Sequence, residues 1–180
     1  MITKKEYNAA CRRARKFFKK AGIILTPEEK KRIEIADFGL GDLAHVGLII
    51  LTYINTKRCC AKELVLFPGQ TCPEHCHPSA VGEQGKEETF RCRWGKVYLY
   101  MSGRKTSKTR AKPPRDREKY YTVWHEIVLN PGEQYTLKPD MLHWFQAGRC
   151  GAVVSEFSTT SRDECDIFSD PEIERSTKVV

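Results

Sequence analysis

Gly69-Gln-Thr-Cys-Pro-Glu-His75-Cys-His77 and, a little further on, Lys86-Glu-Glu88-Thr-Phe90-Arg-Cys92-Arg-Trp94-Gly95 decide the fold. Successive side chains of a strand point to opposite faces. His75 and His77 therefore share a face, and Cys76 points away. Cys72 has the parity of Cys76, so both cysteines are expected off the histidine face. In the second stretch Lys86, Glu88, Phe90, Cys92 and Trp94 share one face. Glu87, Thr89, Arg91 and Arg93 take the other, which suits water.

Working outward, β-rich runs fall at about 44–54, 57–67, 71–77, 87–93, 95–102, 122–129, 134–138, 142–147 and 151–158, separated by Gly, Pro and Asp. About nine short strands of this kind predict a closed barrel or a sandwich. Residues 1–36 read differently. Thr3 stands at capping-box spacing from Glu6 and opens a helix to about Lys20, stopped at Gly22. Thr26-Pro27-Glu28-Glu29 opens a second, short helix to about Ile35. The expected organisation is one domain over 1–180: N-terminal helices to 36, a mainly β barrel over 40–160 and an extension over 161–180. Residues 103–119 are basic, contain proline and lack apolar periodicity, so they are expected to form an exposed loop near the site mouth.

Composition bounds the function. The chain has 180 residues, 40% of them hydrophobic, enough for one sizeable core. The longest apolar run, Val46–Leu51, falls far short of the roughly 18–20 residues that span a bilayer. The N-terminus opens with charge and no apolar signal core follows, so the chain reads as cytoplasmic with no membrane partner. Its 8 cysteines are then expected as reduced thiols rather than a disulfide framework. Residues 1–32 hold 11 of the 31 Lys and Arg but 3 of the 23 Asp and Glu, which accounts for the whole net charge of +8. Those charges interleave with Ala9, Ala10, Ala14, Phe17 and Phe18 at helical spacing. That describes a solvated helix face over an apolar stripe, and no nucleic-acid partner is expected.

The chemistry lies on the inward faces. Glu88 would be costly to bury unpaired. His75 and His77, with a metal ion, would supply the compensating charge. His143, in Leu142-His143-Trp144-Phe145, suits a fourth ligand on a facing strand. Three imidazoles and a carboxylate suit manganese, iron, cobalt, nickel or zinc better than magnesium or calcium. The set contains no thiolate, which disfavours a structural zinc site. Taken alone, each histidine reads as an ordinary core or surface residue; only the combination points to a metal. His45 and His125 lack such support and read as structural.

These residues resemble the cupin pattern. Gly69, five residues, His75-x-His77, then Glu88, six residues and Gly95 resemble its first motif, and Pro139-x-x-x-His143 resembles its second. The gap from His77 to Glu88 is longer than usual. The second motif lacks its glycine and is one residue shorter. Both departures are shared by the D-lyxose isomerases, which the chain resembles over most of its length. The resemblance is carried by Glu74-His75-Cys76-His77, by Gly85-Lys86-Glu87-Glu88-Thr89-Phe90-Arg91 and above all by 143–171, HWFQAGRCGAVVSEFSTTSRDECDIFSDP. It implies a cupin barrel and a manganese-preferring isomerase that converts D-lyxose to D-xylulose. It further implies metal ligands at His75, His77, Glu88 and His143, and a homodimer.

Aldose–ketose isomerisation moves a proton between C1 and C2 and needs a base within hydrogen-bond reach of that proton. Alternation puts Ala152, Val154 and Glu156 on one face, which nominates Glu156; the plain alternative is a strand-end carboxylate in water. Lys86 is the candidate partner, either donating to the oxygen that gains charge or lowering the pKa of a neighbouring carboxylate. Arg162, Asp163 and above all Asp166 are candidates for binding sugar hydroxyls or shaping the pocket, and Trp144 and Phe145 for an apolar wall, with core packing as the alternative for the last two. Three rival functions use related features. A cupin phosphosugar isomerase would need a phosphate cluster, for which the basic loop is the candidate. A metal-dependent oxygenase would need a largely apolar pocket. A sugar-sensing or nucleic-acid module would rest on the basic first helix.

Overall fold

The computed structural model describes all 180 residues. Helix α1 (Lys4–Lys20) starts at a reciprocal cap: Thr3 Oγ1 accepts from Glu6 N, and Glu6 accepts from Thr3 N at 2.8 Å. Its buried stripe of Ala10, Cys11, Ala14, Phe17 and Phe18 packs on Ile49, Leu51, Val65 and Val153 of the sheet, while Ala9 is exposed. The basic residues of α1 lie on its other faces. Helix α2 (Pro27–Lys31) repeats the cap with Thr26 and Glu29 but ends at Lys31, short of the expected Ile35. Residues Glu34–Ala36 form strand β1 instead. Ile33 and Ile35 are both 1% exposed, and β1 pairs with the next strand through Glu34–Ile50 and Ala36–Leu48. Burial of alternate β-branched side chains has overridden continuation of the helix.

Eight further strands follow: β2 (Leu48–Asn55), β3 (Cys60–Leu66), β4 (Thr71–Cys76), β5 (Glu88–Met101), β6 (His125–Leu129), β7 (Gln134–Leu137), β8 (His143–Ser158) and β9 (Ile167–Phe168). All named pairings are antiparallel, in the order β1-β2-β3-β8-β4-β9, with β5 joining β6, β7 and β8. The fold is mainly β, a curled sheet with an N-terminal helix on its outer face.

Two expected pairs of strands are single long ones. The runs 87–93 and 95–102 are β5, bent at Gly95; 142–147 and 151–158 are β8, bent at Gly151. Both glycines have positive φ, 80° and 89°. A Cβ at Gly95 would lie 2.0 Å from the Gly151 carbonyl oxygen, and one at Gly151 would strike the Phe17 ring. Only glycine allows the two bent strands to cross this closely beneath α1. A bulge between Cys92 and Trp94 also turns Trp94 outward onto Phe17, away from the face it was expected to share with Glu88.

Strand β4 carries a second bulge, between Cys72 and His75. It reverses the parity, so Cys72 faces inward with Phe90 and Phe145. The expectation that Cys72 lies off the histidine face is corrected here: one extra residue shifts every later side chain to the other face. Cys76, past the bulge, stays off the cavity, and all eight cysteines are free thiols.

The segment 103–124 packs on the outer surface through Tyr100, Ala111, Tyr121 and Trp144. None of its residues lines the inner cavity, so the basic loop is not at the site mouth. Residues 161–180 run back along the barrel: β9 pairs with β4, and Val180 N donates to Ile2 O at 3.0 Å. No helix is long and apolar enough to cross a membrane.

Candidate metal centre

Strand ends converge at one rim of the curled sheet. His75 lies on β4 opposite His143, the first residue of β8. His77 follows β4 directly, and Glu88 is the first residue of β5. The ring centroids of His75, His77 and His143 are 4.3–5.4 Å apart, and one ligand atom from each lies within 4.8 Å of the others. All three histidines and Glu88 are buried.

The far ring nitrogens set the tautomers. His75 Nδ1 donates to Pro73 O and His143 Nδ1 to Met141 O, both at 2.8 Å. A carbonyl only accepts, so these Nδ1 atoms carry hydrogen and each Nε2 is left with a lone pair. His77 Nδ1 donates to the Asp166 carboxylate at 2.5 Å. This outer shell of acceptors is what metal-bound histidines require. His143 Nε2 is buried with no hydrogen-bond partner, although Glu88 Oε1 lies 3.0 Å away. Two acceptors this close, one of them orphaned, fit a cation placed between them. The three histidines therefore fit a divalent metal, with the Glu88 carboxylate beside His77 and His143.

The protonation states agree. Burial, reinforced by His143 and His77, holds the His75 pKa well below its ordinary value. Burial would push Glu88 up, but the Lys86 ammonium and His77 outweigh it and hold the carboxyl well below the usual range. Burial likewise opposes the charge on His77, yet Glu88 and Asp166 prevail and raise it to about 9. Among protein groups alone His77 serves as counter-cation to two carboxylates, and a metal ion would compete with that proton for Nε2. Cys72, though inward, is fully buried and its thiol is pushed well up, so it stays protonated and is a poor ligand.

From Glu88 a chain of alternating charge runs round the cavity. Lys86 Nζ is 2.7 Å from Glu88 Oε2 and 3.1 Å from Glu156 Oε1. Lys62 Nζ is 4.0 Å from the same Glu156 oxygen and 2.8 Å from Asp163. Asp163 meets Arg175 at 2.9 Å, and Arg175 meets Glu34 at 2.6 Å. Burial would lower the Lys86 pKa, but Glu156 and Glu88 raise it, so the ammonium persists. The cavity these groups line has a volume of about 40 Å³.

Of the sequence candidates, Lys86, Glu156, Asp163, Asp166 and Phe145 line this cavity together with His75, His77 and Glu88. Trp144 does not. It points out of the sheet, stacks on Tyr100 at 4.1 Å and donates Nε1 to Val123 O, because its neighbour His143 has taken the inward face. Arg162 does not line this cavity; ion-paired with Glu83, it lines a smaller adjoining pocket with His77, Lys86 and Asp166. His45 pairs with Asp42 at the surface, and His125 meets Arg104 O. Sequence reasoning missed Lys62, Arg175 and Phe38. Lys62 had a signal, since it shares parity with Leu64 and Leu66, but Glu63 beside it masked the alternation. Arg175 and Phe38 arrive from the tail and a turn, where no periodicity reports direction.

A β-sheet curled round three histidines, a glutamate and alternating charges belongs to the cupin-like class that includes sugar isomerases. The L-ribose isomerase of Acinetobacter sp. DL28 in complex with L-ribose superposes with a TM-score of 0.82 over 99% of this chain and 98% of that one, at 18% identity. The ligand-free L-ribose isomerase of Cellulomonas parahominis gives 0.80 over 99% and 98%, at 17% identity. At such identities the likeness is one of fold. The sequence profile of the D-lyxose isomerase family matches residues 28–180, and the chain belongs to that family. The D-lyxose/D-mannose isomerase of Thermosediminibacter oceani is 66% identical over 161 residues, 89% of each chain. The D-lyxose ketol-isomerase of Cohnella laeviribosi is 61% identical over 170 residues, 94% of this chain and 93% of that one. That of Thermofilum sp. is 56% identical over the full length of both. The chain is accordingly an isomerase of the intramolecular oxidoreductase class.

Proposed function

We propose that the protein interconverts D-lyxose and D-xylulose, and also D-mannose and D-fructose, with one divalent metal held by His75, His77, Glu88 and His143. The observation that carries this reading is the orphaned Nε2 of His143 facing Glu88 Oε1, one Lys86 away from the buried carboxylate of Glu156. Manganese is the preferred ion, with cobalt, iron, nickel or zinc as substitutes for the same nitrogen–oxygen set. When bound, the ion supplies Lewis-acid polarisation of the sugar oxygens at C1 and C2.

The chain's own groups handle the protons. Glu156 takes the proton from C2 of the open-chain aldose, and the electron pair becomes the C1–C2 double bond of an enediol. The carbonyl electrons pass to O1, which takes a proton from Lys86. In the return step O2–H gives its proton back to Lys86, the carbonyl forms at C2, and Glu156 delivers its proton to C1. Positioned acid and base groups of this kind contribute about 10²–10⁴-fold. Asp166 orients His77, and Phe145 closes the floor. The protein acts in the cytoplasm as a homodimer, which sedimentation at working concentration tests.

The phosphosugar alternative gains no support. The basic loop packs elsewhere, and Lys62 and Arg175 both pair with Asp163 rather than forming a cluster of cations for a phosphate. The charged wall likewise disfavours an oxygenase. The experiment is to strip metal with a chelator, restore manganese and assay D-lyxose. Metal-dependent D-xylulose is the expected result; no ketose from any pentose or hexose would overturn the reading.

A further inference from the structure

The cavity has two kinds of wall. Around Glu88, Glu156 and the histidines it is charged; elsewhere it is lined by Leu48, Ile50, Leu64 and the rings of Phe38 and Phe168. The sheet order explains the division. Glu88 and Glu156 stand on β5 and the C-terminal half of β8, in the middle of the curled sheet. Strands β1 and β9 are the ends of its longest run of paired strands, and no backbone ladder joins them. The seam is closed by side chains: Phe38, in the turn after β1, packs on Phe168 of β9 with ring centroids 5.7 Å apart. Phe168 also stacks on the His75 ring, centroids 5.4 Å apart, so the seam borders the histidine cluster and Phe38 lines the cavity beside it.

Phe38 is held there against its backbone preference. Its φ is 53°, in the left-handed region that disfavours any residue with a Cβ, yet its side chain is 2% exposed. The C-terminal segment clamps the turn from behind. Phe38 O accepts from Glu174 N at 3.0 Å, and Thr177 Oγ1 both donates to the Asp37 carboxylate at 2.7 Å and accepts from Asp37 N at 2.9 Å. Glycine at this position would relieve the strain, but the ring in the cavity would be lost. A strained residue that its surroundings over-determine, inside a ligand cavity, is a signal of function.

We infer that Phe38 is a specificity-determining residue whose ring sets the length of sugar that fits. The inference rests on the isomerase reading above. The reacting C1 and C2 must lie beside Glu156 and Lys86, so an open-chain aldose directs its far end toward the seam. A pentose ends at C5, and a hexose carries one more hydroxymethyl carbon toward the Phe38 ring. An apolar wall separates ligands that differ by one carbon by about 10–200-fold.

The test measures kcat/KM of the metal-loaded enzyme for D-lyxose and for D-mannose, which share configuration at C2, C3 and C4. The variants are Phe38→Ala, with Phe38→Leu as the milder truncation should Ala not fold, and Ile50→Phe, which narrows the same wall. Phe38 truncation is expected to raise the hexose-to-pentose ratio about tenfold, and Ile50→Phe to lower it in similar proportion. A ratio within about twofold of the parent in a folded Phe38 variant would overturn the assignment. A parent enzyme that turns over neither sugar would instead overturn the isomerase reading.

Discussion

Glu156 holds one carboxylate oxygen between two ammonium groups, Lys86 at 3.1 Å and Lys62 at 4.0 Å. It is 4% exposed, so both ammonium groups meet it away from bulk water. Replacing it by Gln preserves the shape and removes the base. Glu156→Gln is expected to bind manganese as the parent does and to lose about 10²–10⁴-fold in kcat. Unchanged turnover in a steady-state assay would remove Glu156 from the mechanism. Asp166 acts at one remove, through His77 Nδ1. Asp166→Asn is expected to weaken metal binding about 10–100-fold, as loss of a histidine's outer partner usually does. Titration with manganese measures that shift, and an unchanged dissociation constant would show the contact to be idle. Much of this was legible from alternation alone: Glu88 rather than Glu87, Lys86 on its face, Glu156 in line with Ala152 and Val154. What alternation cannot report is a bulge, and the one in β4 brought Cys72 inward unannounced.

At the scale of elements, β3 shows how a sheet handles adjacent charges. Lys62 faces the cavity, and Glu63 faces the other side of the sheet, where Ser155 Oγ donates to it at 2.9 Å. Burial is the larger effect and pushes the Glu63 carboxyl up to about 7, against smaller opposing effects of Ser155 and Arg93. Its folded pKa exceeds the ordinary 4.5, so its contribution to stability is fully present below pH 4.5 and lost as pH rises through about 7. Glu63→Gln should therefore gain on the parent as pH rises from 5 to 8, by up to roughly 3 kcal/mol at the upper end. Thermal denaturation at the two pH values checks this, and a gap that does not widen would contradict it. The helices were legible from their caps, except where Ile33 and Ile35 found the sheet edge and made a strand. The four expected runs that became β5 and β8 show the opposite limit. Glycine read as a break in the sequence serves as a bend in the structure, because the requirement for close crossing at Gly95 and Gly151 is visible only in three dimensions.

For the whole molecule, the proposed metal binding would be coupled to folding, because the four proposed ligands come from β4, its exit, β5 and β8. An ion that binds only the folded chain stabilises it by about 2.7 kcal/mol at one hundred times its dissociation constant. Chelation is expected to lower Tm and manganese to restore it. In the chelated protein His77, raised to about 9, stabilises fully below its ordinary 6.5, and that contribution is lost as pH rises through about 9. The metal-loaded protein should lack this His77-dependent loss, since the ion takes the place of the proton. Calorimetry over that range with and without manganese reads both effects, and identical curves would contradict the coupling. The tail matters at this scale too: residues 161–180, expected as a mere extension, supply Asp163, Asp166, Phe168 and Arg175 to the cavity wall. Asp163 and Asp166 were sequence candidates, but Phe168 and Arg175 were illegible, because contacts across the seam depend on closure of the sheet and not on any local pattern.

The most direct measurement is an anomalous difference map from a crystal of the manganese-loaded protein. One peak per chain is expected, in bonding contact with Nε2 of His75, His77 and His143 and with the Glu88 carboxylate. A peak that excludes Glu88, or that takes Asp166 or Cys72 in its place, would contradict the account.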